Sequence, residues 1–195
     1  MGNIKQMKRK SYTNILGGRK LGSRIYFKKF LSEDDFQYFF RLVSNEKVMV
    51  MNYGRIFSME EAKKCYEGLL EKGRKEESFG GFKVFENSTN TFIGLGALLV
   101  NENFTEVEVE YSLLPECWGK GYGSEIVEKL LNKAKETKGI QRATAIIDPN
   151  NIASKKILLK NGFTSCKLYE IDDGSLAEMF IKKIIYKGEN NEDYR

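Results

Sequence analysis

The sequence predicts one mixed α/β (α+β) domain, and two observations carry that prediction. Between residues 79 and 114, three β-rich segments alternate with short polar turns, which is typical of an antiparallel meander. A second unit follows, consisting of an apolar strand, a glycine loop, an amphipathic helix and another apolar strand. Because such a crossover makes its two strands parallel, we expect a mostly antiparallel sheet with one parallel pair.

The first half of the chain contains one predicted strand and two helix start signals. The segment RIYFKKF has the composition of a strand. Ser32 and Asp35 resemble a capping box, and the aromatic-rich segment DDFQYFFRLVSNE that follows predicts a helix. Ser58 and Glu61 repeat the capping signal before a second helix, which Gly73 should end.

The second half of the chain supplies the remaining elements. The meander strands are FGGFKVFEN, TFIGLGALLVN and FTEVEVEYSLL, with NSTN and NEN as turns. Apolar residues at helical spacing after the glycine loop predict a helix that Gly139 stops. The strand QRATAIID, the helix NNIASKKILLKNG ending at Gly162, and a final hairpin around DDGS complete the domain.

The predicted domain, residues 21–187, lies between two polar ends. Residues 1–20 show no clear period and form a predicted flexible basic arm, and residues 188–195 form a polar tail. No apolar run could cross a bilayer and no signal peptide is recognisable, so we predict a cytoplasmic location. The three scattered cysteines fit a reducing compartment.

Charge and composition limit the binding partners and the catalytic groups that the protein could use. Residues 1–29 hold nine Lys or Arg and no Asp or Glu, so the net charge of +5 belongs to the N-terminal end. That end could contact nucleic acid or the ribosome, although a solubilising role is the simpler interpretation. The chain has no histidine, which excludes Ser-His-Asp triads, Cys-His pairs and HExxH metal sites. We predict no metal, and acid–base work must fall to carboxylates, tyrosine, lysine, serine or water.

The glycine loop predicts an anion site. Gly119, Gly121 and Gly123 directly precede a helix, where bare backbone N–H groups and the helix dipole favour a phosphate group. A P-loop needs GxxxxGK[ST], which is absent, and the GxGxxG dinucleotide fingerprint places its third glycine one residue later. A tight strand-to-helix turn without a ligand is the simpler structural alternative.

The wider pattern resembles the GNAT superfamily of N-acetyltransferases. The stretch EVEYSLLPECWGKGYGSE and, about thirty residues on, DPNNIASKKILLKNGF match two of its motifs in order and spacing. Within the superfamily, the closest resemblance is to the branch that contains the ribosomal-protein N-terminal acetyltransferases. The positions that carry it are Trp118 to Glu125, Asn151, Ser154, Lys160, Gly162 and Phe163.

The resemblance implies a fold and an activity. The fold is a mostly antiparallel twisted sheet with a splayed parallel strand pair and helices on both faces. The activity is transfer of the acetyl group from acetyl-CoA to a primary amine by direct attack in a ternary complex. The acceptor classes that remain open are a protein N-terminus, a polyamine, an amino acid and an antibiotic, and the protein would be a monomer or a homodimer.

The resemblance also implies cofactor-binding residues. The glycine loop would hold the pyrophosphate of coenzyme A, with Lys120 adding a charge. The backbone of residues 111–113 would pair with the pantetheine amides, and Asn151 would hydrogen-bond the same arm. The full predicted set is Tyr111, Ser112, Leu113, Trp118, Gly119, Lys120, Gly121, Tyr122, Gly123, Ser124 and Asn151.

Three residues are candidates for catalysis. The alternation in TEVEVEY places Glu106, Glu108 and Glu110 on one strand face, which in many strands is only a solvated face. Glu108 is the preferred base or water-positioning residue, and Glu110, where the branch often has glycine, could recognise a cationic amine. Ser154 could serve the departing thiolate, because the tyrosine that many members use is Leu158 here.

Two other functions share some of these features. A non-catalytic acyl-CoA-binding sensor or scaffold would keep the glycine loop and need no base. A Rossmann-type nucleotide-binding protein is a third interpretation. That fold, however, has its glycine loop after a parallel first strand, whereas a meander precedes the loop here. A covalent acyl-enzyme at Cys117 is disfavoured, because no histidine is available to activate the thiol.

Overall fold

The computed structural model describes residues 14–16, 19–74, 77–172 and 174–188. The strands are β1 (Asn14–Leu16), β2 (Arg19–Leu21), β3 (Ile25–Lys29), β4 (Gly80–Glu86), β5 (Phe92–Val100), β6 (Glu106–Leu113), β7 (Arg142–Ile147), β8 (Thr164–Glu170) and β9 (Leu176–Lys183). The α-helices are α1 (Phe36–Val43), α2 (Glu46–Tyr53), α3 (Met59–Arg74), α4 (Tyr122–Glu136) and α5 (Ile152–Lys160).

Seven strands form one sheet in the order β3-β4-β5-β6-β7-β9-β8. All neighbours are antiparallel except β6 and β7, which confirms the predicted meander and the single parallel pair. The parallel ladder joins only Glu106–Glu108 to Arg142–Thr144. Residues 109–113 of β6 continue beside β5 without β7, so the two parallel strands splay apart.

Helices cover both faces of the sheet, as the sequence led us to expect. A Cβ atom on Gly81 of β4 would lie 2.6 Å from Leu69 Cδ2 of α3. A Cβ atom on Gly96 of β5, which points to the other face, would lie 3.0 Å from Ile126 Cγ2 of α4. The glycines therefore let α3 and α4 pack closely on opposite sides, and β4 and β5 are buried along nearly their whole length.

The first predicted helix corresponds to α1, and an unpredicted helix, α2, follows it directly. Asn45 leaves the helical conformation (φ −88°, ψ 114°), and its side chain accepts a hydrogen bond from the Val48 N–H, which ends α1 and starts α2. The predicted Ser32–Asp35 capping box is wrong, because Ser32 makes no side-chain cap. Asp35 instead accepts the Leu31 N–H and forms an ion pair with the buried side chain of Lys83.

The other end signals are mostly confirmed. Glu61 N–H donates to Ser58 Oγ at 3.2 Å and Ser58 N–H donates to Glu61 Oε2 at 2.8 Å, which is the predicted capping box of α3. Gly73 does not end α3 but lies inside its last turn, where it packs against β4. Gly139 follows the end of α4 by three residues, and Gly162 (φ 77°) lies just beyond α5.

The two chain ends are described only in part. Of the predicted arm, residues 1–13, 17 and 18 lie outside the described residues, and the rest belongs to the two-stranded β1–β2 hairpin, which the sequence did not predict. Of the predicted tail, residues 189–195 lie outside them. Within the described part of the chain, no helix has the length and apolar character needed to span a membrane.

Candidate active site

The splay between β6 and β7 opens a cavity of about 320 Å³. The C-terminal end of β6, the glycine loop, the first turn of α4, the first two turns of α5 and one side of α2 enclose it. The lining residues are Val48, Met51, Asn52, Tyr111, Ser112, Leu113, Cys117, Trp118, Gly119, Gly121, Tyr122, Gly123, Asn151, Ala153, Ser154 and Ile157. Most of the predicted cofactor-binding residues therefore come together at one site.

The glycine loop ends in an uncapped helix N-terminus. Gly119 (φ 72°) and Gly121 (φ 84°) adopt the left-handed conformation that favours glycine. Gly121 is the N-cap of α4, and no side chain caps the helix. The N–H groups of Tyr122, Gly123 and Ser124 form the first turn, where the positive end of the helix dipole lies. This part of the cavity is suited to an anion.

Arg24, just before β3, holds this loop in place. Its Nη1 donates to the Lys120 carbonyl oxygen at 3.0 Å, and its Nε donates to Glu125 Oε2 at 3.0 Å. The Arg24 backbone N–H donates to Glu125 Oε1 at 2.7 Å, and its guanidinium lies 4.7 Å from the centre of the Tyr122 ring. This bridge could not be predicted from the sequence, because its partners are about a hundred residues apart.

The third glycine of the loop also has a packing role that was not predicted. Gly123 lies inside α4, and a Cβ atom there would be 2.8 Å from Ile157 Cδ1 of α5. Its small size therefore permits close packing of α4 against α5. Asn161 of α5 adds a hydrogen bond to Ser124 Oγ at 3.1 Å, which joins the two helices next to the loop.

Trp118 and Ser112 show which polar groups of the cavity wall are already bonded. The indole Nε1 of Trp118 donates to the Leu113 carbonyl oxygen at 2.8 Å, so this carbonyl, predicted to be exposed, already has a partner. The Ser112 hydroxyl is buried and has no hydrogen-bond partner among the described residues. A buried hydroxyl without a partner is costly, so its presence in the cavity wall fits a polar ligand.

Asn151 caps α5 and contacts α2. Its Oδ1 accepts the Ser154 N–H at 3.0 Å, and its Nδ2 donates to the Met51 carbonyl oxygen at 3.5 Å. The side chain is buried at the cavity wall. The α2 residues Met51 and Asn52 were missed by the sequence reasoning, since α2 itself was not predicted.

Two hydroxyl groups lie at the start of α5. The Tyr111 hydroxyl donates to the Ser154 carbonyl oxygen at 3.4 Å, and burial raises the pKa of Tyr111 to about 12. No hydrogen bond to the Ser154 hydroxyl occurs in the described part of the chain, so this group can turn toward the cavity. Leu158 is fully buried in the core. Burial raises the pKa of the Cys117 thiol, which disfavours a thiolate nucleophile.

The carboxylates of β6 share one strand face, as their alternation predicts. That face is the α3 side of the sheet. Glu106 forms an ion pair with Arg142 and is thereby occupied. Partial burial raises the pKa of the Glu108 carboxyl group, while the positive charge of Lys72 in α3 lowers it. Burial, with added repulsion from Glu108, raises the pKa of Glu110 to about 7. Solvent still reaches Glu110, whose side chain is exposed.

Tyr53, the last residue of α2, lies close enough to these carboxylates to be affected by their charge. Burial and the nearby carboxylates, Glu110 before Glu108, raise the pKa of Tyr53 to about 12. Tyr53 is nevertheless 62% exposed, so it lies at the surface and not in the core. Glu108, Glu110 and Tyr53 therefore contribute to a surface that is acidic, partly apolar and accessible from solvent.

A family model described as an acetyltransferase (GNAT) domain matches residues 24–164. A Bacillus subtilis (strain 168) protein named "uncharacterized N-acetyltransferase YoaA" is 24% identical over 136 residues, covering 68% of this chain and 76% of the relative. The "uncharacterized N-acetyltransferase p20" of Bacillus licheniformis is 28% identical over 108 residues, covering 53% of this chain and 61% of the relative.

Solved structures share the fold at low sequence identity. RimL, a ribosomal L7/L12 alpha-N-protein acetyltransferase solved in complex with coenzyme A, superimposes with a TM-score of 0.69 at 17% identity, covering 84% of this chain and 96% of RimL. The spermidine N-acetyltransferase from Vibrio cholerae, solved with CoA and spermine, gives a TM-score of 0.66 at 16% identity over 83% of this chain and 96% of that enzyme.

Proposed function

Because the chain belongs to the GNAT acetyltransferase family, and so is an acetyl-CoA-dependent acyltransferase, we propose that it acetylates a primary amine that arrives as a cation. This proposal rests on the acidic surface that Glu108 and Glu110 form beside the splayed strands. Transfer is direct, in a ternary complex, since the thiol of Cys117 is buried and lacks a base to activate it.

The cavity fits coenzyme A through its polar wall. The first-turn N–H groups of α4 would hold the diphosphate. The Ser112 hydroxyl and the Asn151 side chain would hydrogen-bond the pantetheine arm, with the remaining free backbone of β6 pairing alongside. Bound acetyl-CoA supplies the acetyl group as an activated thioester. The splay admits the thioester from the α4 side and leaves the α3 side of the sheet for the amine.

Glu108 and Glu110 have different proposed roles toward the amine. An amine attacks only in its neutral form, so a base must take up a proton. Glu108 is the proposed base, because it forms the last pair of the β6–β7 ladder, where the strands splay, and burial raises the pKa of its carboxyl group. Glu110, closer to Tyr53, is the proposed recognition group for the cationic form of the acceptor.

Acceptor binding should therefore depend on pH through Glu110. The raised pKa means that Glu110 loses its negative charge as the pH falls through about 7. We expect the KM for a cationic acceptor to rise below that pH, whereas Glu110→Gln should raise KM about tenfold to a hundredfold and remove the dependence. Initial rates on both sides of pH 7 measure this. Glu106→Gln is the matched control, because Glu106 is already paired with Arg142.

Ser154 is the proposed proton donor for the departing thiolate. Replacing Ser154 by Ala should lower kcat about tenfold and leave the affinity for acetyl-CoA unchanged, since a thiolate is a good leaving group that needs modest help. Steady-state kinetics and calorimetry separate the two quantities. Tyr111→Phe, which removes the neighbouring hydroxyl, is the comparison, and a larger kcat loss in that variant would assign the donor to Tyr111.

Acetylation of an amine library, followed by detection of the released thiol, tests the proposed function. The library should contain spermidine, an aminoglycoside and peptides with free N-termini, because structural neighbours are named for acetylation of such acceptors. We expect turnover with at least one cationic amine and none with a neutral alcohol. Tight binding of acetyl-CoA without turnover on any amine would contradict the proposal.

A further inference from the structure

A second cavity, of about 550 Å³, lies between α4 and strands β3 and β4, at the β3 edge of the sheet. Its walls come from the C-terminal half of α4 and from the side chains of β3 and β4 that point to the same face of the sheet. The volume falls within the range that small-molecule sites occupy. Lys133 lies eleven residues beyond the first residue of α4, so it is about 16 Å along the helix from the glycine loop.

Three lysines border this cavity. Lys29 comes from β3, and Lys129 and Lys133 lie one turn apart on α4. Burial, with added repulsion from Lys133, lowers the pKa of Lys129, while Glu125 and Glu128 act in the opposite direction. A negative charge placed among these ammonium groups would reduce their mutual repulsion.

Two acidic residues, Glu77 and Glu136, line the same cavity, and the carboxylate of Glu136 already has a partner. The Glu136 carboxylate accepts a hydrogen bond from Lys187 at 2.7 Å. The Glu77 backbone oxygen accepts one from Lys29 at 3.4 Å, and the Glu77 side chain is exposed at the rim. The cations therefore outnumber the acids along the wall.

The floor of the cavity is aromatic. Phe27 and Phe82 stack with ring centres 5.6 Å apart. The Lys129 ammonium nitrogen lies 5.7 Å from the Phe27 ring centre, and that of Lys133 lies 4.9 Å from the Phe82 ring centre. Positive charge thus stands directly beside an apolar surface, which suits a ligand that carries both an anionic group and an aromatic body.

We propose that this lysine groove, defined by Lys29, Lys129, Lys133, Phe27 and Phe82, binds a small aromatic anion at a site separate from the acetyl-transfer site. The anionic group contacts the lysines, and the aromatic body lies against the partly exposed ring of Phe27, which Phe82 supports from the core. Because Lys129 and Lys133 face away from the splayed strands, occupation of the groove is compatible with bound coenzyme A. The inference does not depend on the identity of the amine acceptor.

The test uses the fluorescent anion 8-anilinonaphthalene-1-sulfonate, titrated into the full chain with coenzyme A at saturation. We expect Lys129→Gln/Lys133→Gln to weaken its binding at least about tenfold, since two charged contacts are lost. Lys156→Gln/Lys160→Gln, which removes two exposed lysines from α5, is the matched control for net charge and should bind the probe like the unmodified protein.

A neutral probe separates charge recognition from apolar adsorption. N-phenyl-1-naphthylamine, which lacks the sulfonate, should bind more weakly and respond equally to both double variants. Acetyl transfer and melting temperature should stay unchanged in the groove variant, which shows that the fold is intact. Equal affinity of the anionic probe for the groove variant and its control would overturn the proposal.

Discussion

Replacing Glu108 by Gln is expected to lower turnover about 10²–10⁴-fold near neutral pH, with little change in acetyl-CoA affinity. Glutamine keeps the shape of the side chain and its hydrogen-bonding capacity but cannot take up the proton of the attacking amine. The chain has no histidine, and Glu106 is committed to Arg142, so few other groups near β6 can replace it. Steady-state rates measured with saturating acetyl-CoA give the comparison.

The pH dependence of that loss identifies its cause. At higher pH more of the free amine is already neutral, so the deficit of the Glu108→Gln variant should shrink. Glu106→Gln provides the baseline for removing a carboxylate from the same strand face. If Glu110→Gln loses turnover and Glu108→Gln loses only acceptor binding, the base is Glu110, whose pKa of about 7 would suit that role. Normal turnover in both variants would remove the carboxylates from the mechanism.

Replacing Gly121 by Val is expected to weaken coenzyme A binding about tenfold to thirtyfold. Gly121 has φ 84°, a conformation that costs an L-residue about 1–2 kcal/mol, and a β-branched residue more. The free loop can relieve this strain by rotating away, which turns the first-turn N–H groups of α4 from the cavity. Binding must then restore the strained conformation, and 1.4 kcal/mol corresponds to a factor of ten in affinity.

Gly121→Asn is the matched comparison for that variant. Both replacements add a Cβ atom, which would lie 3.4 Å from Arg24 Nη2, but asparagine tolerates the left-handed conformation much better than valine. We therefore expect Gly121→Asn to retain most of the affinity measured by calorimetry. Equal losses in the two variants would mean that contact with Arg24, and not backbone strain, determines the effect. Unchanged affinity in a folded valine variant would remove the loop from the cofactor site.

The sequence predicted the sheet well because its signals are local. Alternating side chains and polar turns specify each strand of the meander, and the crossover rule then makes β6 and β7 parallel. The same alternation correctly separated the carboxylates from Val107 and Val109, which are buried. The Asn151 cap of α5 depends on a signal of the same local kind, because an asparagine directly before an apolar helix favours an N-cap.

The parts that were missed depend on contacts between distant segments. Helix α2 has little amphipathic pattern, and only the Asn45 cap separates it from α1, so Tyr53 and Met51 could not be assigned to the site. The packing role of Gly123 could not be predicted, because nothing near it in sequence reveals Ile157 across the helix pair. The Arg24–Glu125 bridge likewise becomes visible only once β3 lies beside the loop.

That bridge has a consequence for fluctuations of the native protein. Strand β3 lies at an edge of the sheet, and edge strands are among the segments that open locally at low free energy. When the start of β3 detaches, Arg24 leaves Lys120 and Glu125, so the loop is released together with the strand. Whatever ligand requires the ordered loop then also favours the closed edge. Amide hydrogens of β3 should consequently exchange more slowly once coenzyme A is bound, although the ligand touches none of them.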